Sequence, residues 1–284
     1  MTHVSEYEID KKVEATIENS TRITRESSPE EVRDIQLRVD GTLDCSLGMT
    51  VGVLVPGPHP FGNPTHLRLY SIADLVEDKD GQRITICVKR CTYIDEISGE
   101  EYNGIASNYL CDRVPGSTIT LTGPYPSPFA MPPDTDANIL MIAQGTGIAP
   151  FRALVRKIYE DKGGWNGQVR LFYGARSGLE MLYMNDERND FVNYYDTATF
   201  QAFQAVSPRP HMGDPVALGE ALGNEREMVW TMLRDPDTFV YVSGVTGMIE
   251  NLDEAFSQMA GSEEKWQRLL AELKAGGRWQ EIRY

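Results

Sequence analysis

A chain of 284 residues is long enough for two domains of ordinary size, each with its own core. The net charge of −15 argues against nucleic acid and anionic membrane as partners. No stretch approaches the roughly 18 apolar residues of a membrane span, and the first ten residues have neither the basic start nor the apolar run of a signal peptide, so no membrane insertion and a cytoplasmic location are expected.

Residues 1–9 read as a tail with little to bury. Val13 to Ile17, Val32 to Val39 and Val51 to Val55 carry β-branched and apolar residues in short runs, separated by polar turns such as Ser27-Ser28-Pro29 and Asp40-Gly41. Asp80-Gly81 reads as a hairpin turn whose positive φ glycine supplies. These features predict an antiparallel β-barrel domain over residues 10–134. Prolines are dense from Pro124 to Pro133, a cluster expected to end the strand pattern before the next buried run, so the domain boundary is placed near Asp134.

Residues 135–284 alternate buried runs with helical patterns. Ile139 to Ala143, Val169 to Gly174, Gln201 to Val206 and Phe239 to Gly244 read as strands. After the first of these, Phe151, Leu154, Val155 and Ile158 recur with helical spacing, and Pro150 suits a first helical turn. Met248 to Met259 follows the last of these strands, and Ser262 can cap a helix that buries Trp266, Leu269, Leu270 and Leu273 before Gly276 stops it. Such alternation predicts an α/β domain with a parallel sheet and ligands at the carboxyl ends of its strands. Gly145-Thr146-Gly147 falls between a strand and a helix N-terminus, where free N–H groups and the helix dipole favour an anion. A dinucleotide is the natural ligand.

Cys45, Cys87, Cys91 and Cys111 form no CxxC pair, and Cys87 and Cys91, read as lying on one strand, would stand about 13 Å apart. His3, His59, His66 and His211 lack a metal-binding spacing. No metal site is expected.

Arg68-Leu69-Tyr70-Ser71, then Ile86-Cys87-Val88-Lys89-Arg90, then Gly104-Ile105-Ala106-Ser107-Asn108-Tyr109-Leu110-Cys111-Asp112 occur in that order. With the Gly145 loop, Gly244-Val245-Thr246-Gly247-Met248 and a terminal Tyr284, this series resembles the plant-type ferredoxin–NADP reductases from about Leu67 onward. The resemblance implies FAD as cofactor and NADP(H), or NAD(H), as coenzyme. It assigns Arg68 to a flavin phosphate, Tyr70 to the isoalloxazine, and the Ser71 hydroxyl to the neighbourhood of flavin N5. Gly104, Ile105, Ala106 and Ser107 match the loop for the FAD pyrophosphate, and Tyr93 the aromatic over the adenine. Val88 and Lys89 fall near the nicotinamide dinucleotide's phosphates, with Gly145, Thr146, Gly147, Gly244 and Met248 in the second domain. Tyr284 is the aromatic gate on the flavin face that nicotinamide must reach.

Three departures stand out. Ser243 replaces the plant cysteine before the last glycine of the nicotinamide strand. Ile282 replaces the acid two residues before the end, leaving Glu281 one place earlier as the candidate relay. For the 2′-phosphate, Ser207 is kept while the arginine is displaced to Arg209, with Arg176 a second cation. The electron acceptor implied is a small carrier such as ferredoxin or flavodoxin. An oxygenase component is the alternative, since the Gly104 and Thr122-Gly123-Pro124-Tyr125 stretches are similar to the reductase part of benzoyl-CoA epoxidase systems. A flavin-holding relay subunit of a larger complex is a third reading. Arg22, Arg25, Arg33, Arg38 and Arg90 are candidates for a basic docking patch on an otherwise acidic chain.

Overall fold

Alternating burial builds the first half into strands: in β2 (Val32–Asp40), Ile35, Leu37 and Val39 turn inward while Gln36 and Arg38 face outward. The computed structural model describes residues 7, 9–40, 43–57, 63–79, 81–95, 98–127, 129–209, 211 and 216–283. It divides the chain into two units, Met1–Ser127 and Pro128–Tyr284.

In the first unit, β1 (Lys12–Arg22), β2, β3 (Thr50–Pro56), β4 (Thr65–Asp78), β5 (Gly81–Lys89) and β8 (Thr118–Tyr125) close into an antiparallel barrel in the order β1-β2-β5-β4-β3-β8. Closure leaves no edge strand exposed, since β1 pairs with both β2 and β8. Ile17, Ile35, Leu37, Val53, Ile84, Ile86 and Leu121 fill the interior. Gly81 has φ of 138°, while Asp80 lies outside the described residues. A two-stranded ribbon of β6 (Thr92–Ile94) and β7 (Glu101–Asn103) leads into helix α1 (Ile105–Cys111), which packs on β3, β4 and β5.

Two local expectations change. Strand β8 runs through Gly123-Pro124 to Tyr125 instead of ending at the proline cluster. The β3–β8 register shifts between Thr50 and Gly52, and a strand proline is tolerated where the ladder is so interrupted. Cys91 is not on a strand with Cys87, because β5 stops at Lys89. Cys87 is buried and Cys91 exposed, while burial pushes the Cys45 and Cys111 thiols up to about 11.

The second unit is a five-stranded parallel sheet in the order β11-β10-β9-β12-β13. Its strands are β9 (Asn138–Gln144), β10 (Val169–Ala175), β11 (Phe200–Val206), β12 (Thr238–Gly244) and β13 (Trp279–Arg283). Helices α2 (Ala149–Arg156), α3 (Leu218–Asn224), α4 (Arg226–Arg234), α5 (Thr246–Ala260) and α6 (Glu263–Ala275) connect them. Phe151, Leu154, Val155 and Ile158 are all buried, the last in a π turn that prolongs α2. Ser262 caps α6 by accepting the Lys265 N–H at 3.3 Å, and Trp266 packs against Phe256 and Trp279.

The stretch just after Ser127 belongs to this second unit, ahead of the boundary expected near Asp134. Phe129 stacks on Phe151 at 5.2 Å, and the Tyr241 hydroxyl donates to the Ala130 carbonyl at 2.5 Å. Aromatic burial against α2 and β12 outweighs the local proline signal.

Candidate active site

In the first unit, β4 presents Arg68 to solvent, with Tyr70 and Ser71 half-buried further along. Leu69 stands opposite Gly52 of β3, where a Cβ would meet the Leu67 and Thr122 side chains. Tyr70, Ile105 and Tyr109 pack on the same barrel core, so α1 brings the Gly104 loop to the strand that carries the Arg-x-Tyr-Ser motif. Burial pushes the Tyr70 phenol up, which keeps it neutral. Among the described residues the Arg68 guanidinium has no partner, as a cation waiting for a phosphate would be.

The Gly104 loop is tied down by its own side chains. Ser107 accepts the Cys91 N–H at 3.2 Å and donates to the Gly104 carbonyl at 3.3 Å, so its hydroxyl is engaged in the loop. The first-turn N–H groups of Ile105 and Ala106 are the remaining donors for an anion there. Asn108, one residue further on, donates to the carbonyls of Cys91 and Gly104, each at 2.9 Å. Arg90 donates to the Asn108 side-chain oxygen at 2.9 Å and holds it in place.

Lys89 ends β5 in an ion pair with Glu30, and Val88 beside it is buried. Tyr93 is 54% exposed and stacks on Tyr102 with ring centroids 5.8 Å apart, so an aromatic face is already flanked on one side.

The arginines expected to form a basic patch are tied up instead. Glu31 accepts from Arg33 at 2.5 Å and Arg90 at 2.8 Å, and Arg90 also pairs with Asp112. Glu18 joins Arg38 and Arg83, while Arg38 reaches Asp78. Arg22 donates to the carbonyls of Arg25 and Ser28. Arg33, Arg38 and Arg90 thus hold neighbouring elements together with their charge compensated, while Arg22 is engaged by neutral groups.

In the second unit, the strand order reverses between β9 and β12, which places the crevice for a ligand outside their carboxyl ends. Gly145 there has φ of 56°, a conformation that an L side chain resists. Gly145-Thr146-Gly147-Ile148 forms a 3₁₀ turn leading into α2. Gly147 lies against the backbone of Ser243, and Gly244 makes room for the Met248 sulfur, 2.6 Å from where a Cβ would sit. Ser243, Gly244 and Met248 are all buried.

Register brings together two residues that the sequence leaves far apart. Ala175 of β10 pairs with Val206 of β11, so Arg176 and Ser207 follow side by side at the strand ends. Ser207 is 6% exposed and among the described residues its hydroxyl has no hydrogen-bond partner, although buried polar groups are nearly always satisfied. Arg176 is exposed, and among the described residues it too has no partner; Arg209 is exposed just beyond. An orphan hydroxyl and a cation at the same end of the sheet suit a phosphate.

Glu281 is held as an anion. Burial opposes its charge, but the Arg283 guanidinium at 2.7 Å and the Trp279 N–H at 3.2 Å prevail and keep its carboxyl below the usual value. A carboxylate tied to two donors on its own strand is a poor proton relay. Tyr284 lies outside the described residues. Tyr173, a buried phenol on β10, escapes any motif, and only its contacts reveal it.

An antiparallel barrel followed by a parallel α/β unit, with a glycine turn at the switch point, defines a two-domain oxidoreductase that pairs a flavin with a nicotinamide dinucleotide. The profile described as Oxidoreductase NAD-binding domain matches residues 141–254. The chain is similar to the chloroplastic leaf isozyme 1 of ferredoxin–NADP reductase from Oryza sativa subsp. indica, with 33% identity over 268 residues, 92% of this chain and 73% of that protein. The chloroplastic ferredoxin–NADP reductase of Spinacia oleracea is 32% identical over 270 residues, 92% of this chain and 72% of that one. In fold, the chain matches ferredoxin–NADP+ reductase from Plasmodium falciparum at a TM-score of 0.72, covering 98% of both chains at 18% identity. A structure of that enzyme with 2′P-AMP matches at 0.72 and 19% identity. The protein belongs to the plant-type ferredoxin–NADP reductase family and is an oxidoreductase of that kind. Membership implies binding of FAD and NADP(H).

Proposed function

We propose that this protein transfers hydride between NADPH and FAD and exchanges single electrons with ferredoxin or a similar small carrier. The observation that carries the reading is the buried, unpartnered Ser207 hydroxyl at the carboxyl end of the sheet, with Arg176 following the paired end of the neighbouring strand. That pair suits the 2′-phosphate that distinguishes NADPH from NADH, with Arg209 able to add a second cation. Bound FAD supplies the conversion between two-electron and one-electron chemistry.

The chain's own residues bind and orient. Arg68 neutralises a flavin phosphate, the Gly104 loop offers backbone N–H groups to the pyrophosphate, and Tyr70 packs on the ring system. Ser71 places a hydroxyl near the hydride-accepting atom. On the coenzyme side, the Gly145 turn takes the dinucleotide phosphates, while Ser243 and Gly244 receive the nicotinamide. Tyr284 acts as the gate. Glu281 braces β13 through Arg283 and Trp279 rather than passing a proton.

The test is NADPH-dependent reduction of cytochrome c with and without added ferredoxin, beside reduction of ferricyanide. A ferredoxin-dependent rate supports the proposal. Ferricyanide turnover with no response to ferredoxin or flavodoxin would redirect it to an oxygenase partner, and no turnover of NADPH at all would leave a relay subunit.

A further inference from the structure

Tyr173 is fully buried on β10, in register with Ala143 of β9, and lies outside the motifs that carry the family resemblance. Its hydroxyl donates to the Gly145 carbonyl at 3.1 Å and accepts the Leu182 N–H at 3.0 Å. One oxygen therefore joins two loops at the carboxyl end of the sheet, the Gly145 turn and the segment after β10.

The second of those loops is firmly anchored. Tyr183, next to Leu182, is buried with φ of 62°, a left-handed conformation that persists only where the surroundings impose it. The Arg152 guanidinium lies 5.0 Å from the Tyr183 ring centroid and pairs with Asp190 at 2.5 Å, and Phe191 donates its N–H to the Tyr183 carbonyl. The Gly145 turn is braced at Gly147 by the end of β12, but Gly145 itself is less constrained. Gly145 carries no side chain, and a Cβ there would meet nothing within 4 Å. Its carbonyl opens the 3₁₀ turn, and the Tyr173 phenol is the side chain that holds that carbonyl from outside the turn.

In a planar trans peptide the C=O and the next N–H point in opposite directions. A phenol that draws the Gly145 carbonyl toward the sheet therefore turns the Thr146 N–H away from it, toward the open side of the turn. We propose that Tyr173 is a positioning residue for the coenzyme, holding the Thr146 N–H ready to donate to the dinucleotide's pyrophosphate. The inference rests on reading the Gly145 turn as the phosphate site.

The test uses the full-length, FAD-loaded protein with two probes, NADP+ and 2′-AMP, titrated by calorimetry. Tyr173→Phe keeps the ring and removes the hydroxyl. NADP+ is expected to bind about five- to tenfold more weakly, the scale of one hydrogen bond, while 2′-AMP, which has no pyrophosphate, binds as before. Tyr241→Phe is the control: it loses a comparable bond to Ala130 in the same unit, and is expected to lower thermal stability without changing NADP+ affinity. Gly145→Ala alters the turn itself and is expected to weaken NADP+.

Unchanged NADP+ affinity in Tyr173→Phe, with Gly145→Ala impaired, overturns the role of Tyr173 and leaves the turn as the phosphate site. If neither variant affects NADP+, the reading of the turn fails and the proposal with it. Equal weakening of both probes in Tyr173→Phe makes the residue merely structural and also overturns the proposal. Wild-type protein supplies a measurement that no folding defect can obscure. NADP+ is expected to slow amide exchange at Leu182 as well as Thr146, because both depend on the same phenol, and exchange at Leu182 that ignores NADP+ counts against the proposal.

Discussion

Gly147 and Ser243 meet backbone to backbone: a Cβ on Gly147 would lie 2.1 Å from the Ser243 carbonyl oxygen and 3.2 Å from its hydroxyl. The turn after β9 thus rests directly on the end of β12, and the obstacle is main chain, which cannot swing aside. Gly147→Ala is expected to destabilise the second unit by about 1–3 kcal/mol or more, as overpacking does. At roughly 2–4 °C per kcal/mol, thermal unfolding resolves this, and NADP+ binding should weaken in parallel. An alanine variant with wild-type stability and affinity would contradict the packing.

The flavin should be FAD. Arg68 is exposed and its guanidinium makes no hydrogen bond or ion pair with the described residues, so Arg68→Ala removes a ligand contact while sparing the side-chain bonds of the fold. One charged hydrogen bond is worth roughly 1.5–3 kcal/mol, which predicts about ten- to hundredfold weaker FAD binding. Stability of the flavin-free protein should not change. Chromatography of the released flavin and a fluorescence titration check both points; FMN in the wild type would refute the first.

Coenzyme choice should depend on the pair at the ends of β10 and β11. Arg176→Ala is expected to lower kcat/KM for NADPH by about tenfold and to leave NADH unaffected, since only the 2′-phosphate is lost as a partner. Ser207→Ala should act in the same direction with a smaller effect. Equal losses for both coenzymes would mean that these residues support the sheet and do not read the phosphate.

Acid should weaken the barrel through its paired glutamates. For Glu18, hydrogen bonds from Arg83 and Arg38 hold the carboxyl below its ordinary value of 4.5; for Glu31, burial opposes the charge but Arg90 and Arg33 outweigh it. A carboxyl depressed in the folded state contributes stability that is present above pH 4.5 and is lost as pH falls through the lower folded value. The Tm should therefore drop below that point. Glu31→Gln is expected to be less stable at neutral pH and to show a shallower acid decline, and parallel Tm curves for the two proteins would rule this out.

Electron transfer to an acidic ferredoxin should depend only weakly on salt. The chain carries a net charge of −15, and Arg33, Arg38 and Arg90 are already paired with carboxylates. With a Debye length of about 8 Å at physiological salt, little long-range attraction survives to be screened. The rate of ferredoxin-mediated cytochrome c reduction against ionic strength is the measurement. A fall of about tenfold or more between low and physiological salt would reveal a steering patch.

The sequence by itself determined the barrel, the parallel sheet and the glycine turn between Ala143 and Phe151, because burial periodicity and glycine's conformational range are local properties. It also located the Arg68 to Ser71 and Gly104 to Ser107 stretches, whose spacing is contained within a few residues. Only the tertiary structure decided which neighbours those residues have. Lys89 meets Glu30, and Arg33, Arg38 and Arg90 of the expected patch meet Glu18, Glu31, Asp78 and Asp112, because the fold sets those side chains against one another. Arg176 and Ser207 come to the same end of the sheet, and Tyr173 meets Gly145, because parallel register aligns strands whose order in space is not their order in the chain. Composition and spacing carry no record of that register: it is fixed by the packing of whole strands and helices, and it decides which polar atoms are satisfied by the protein and which are left for a ligand.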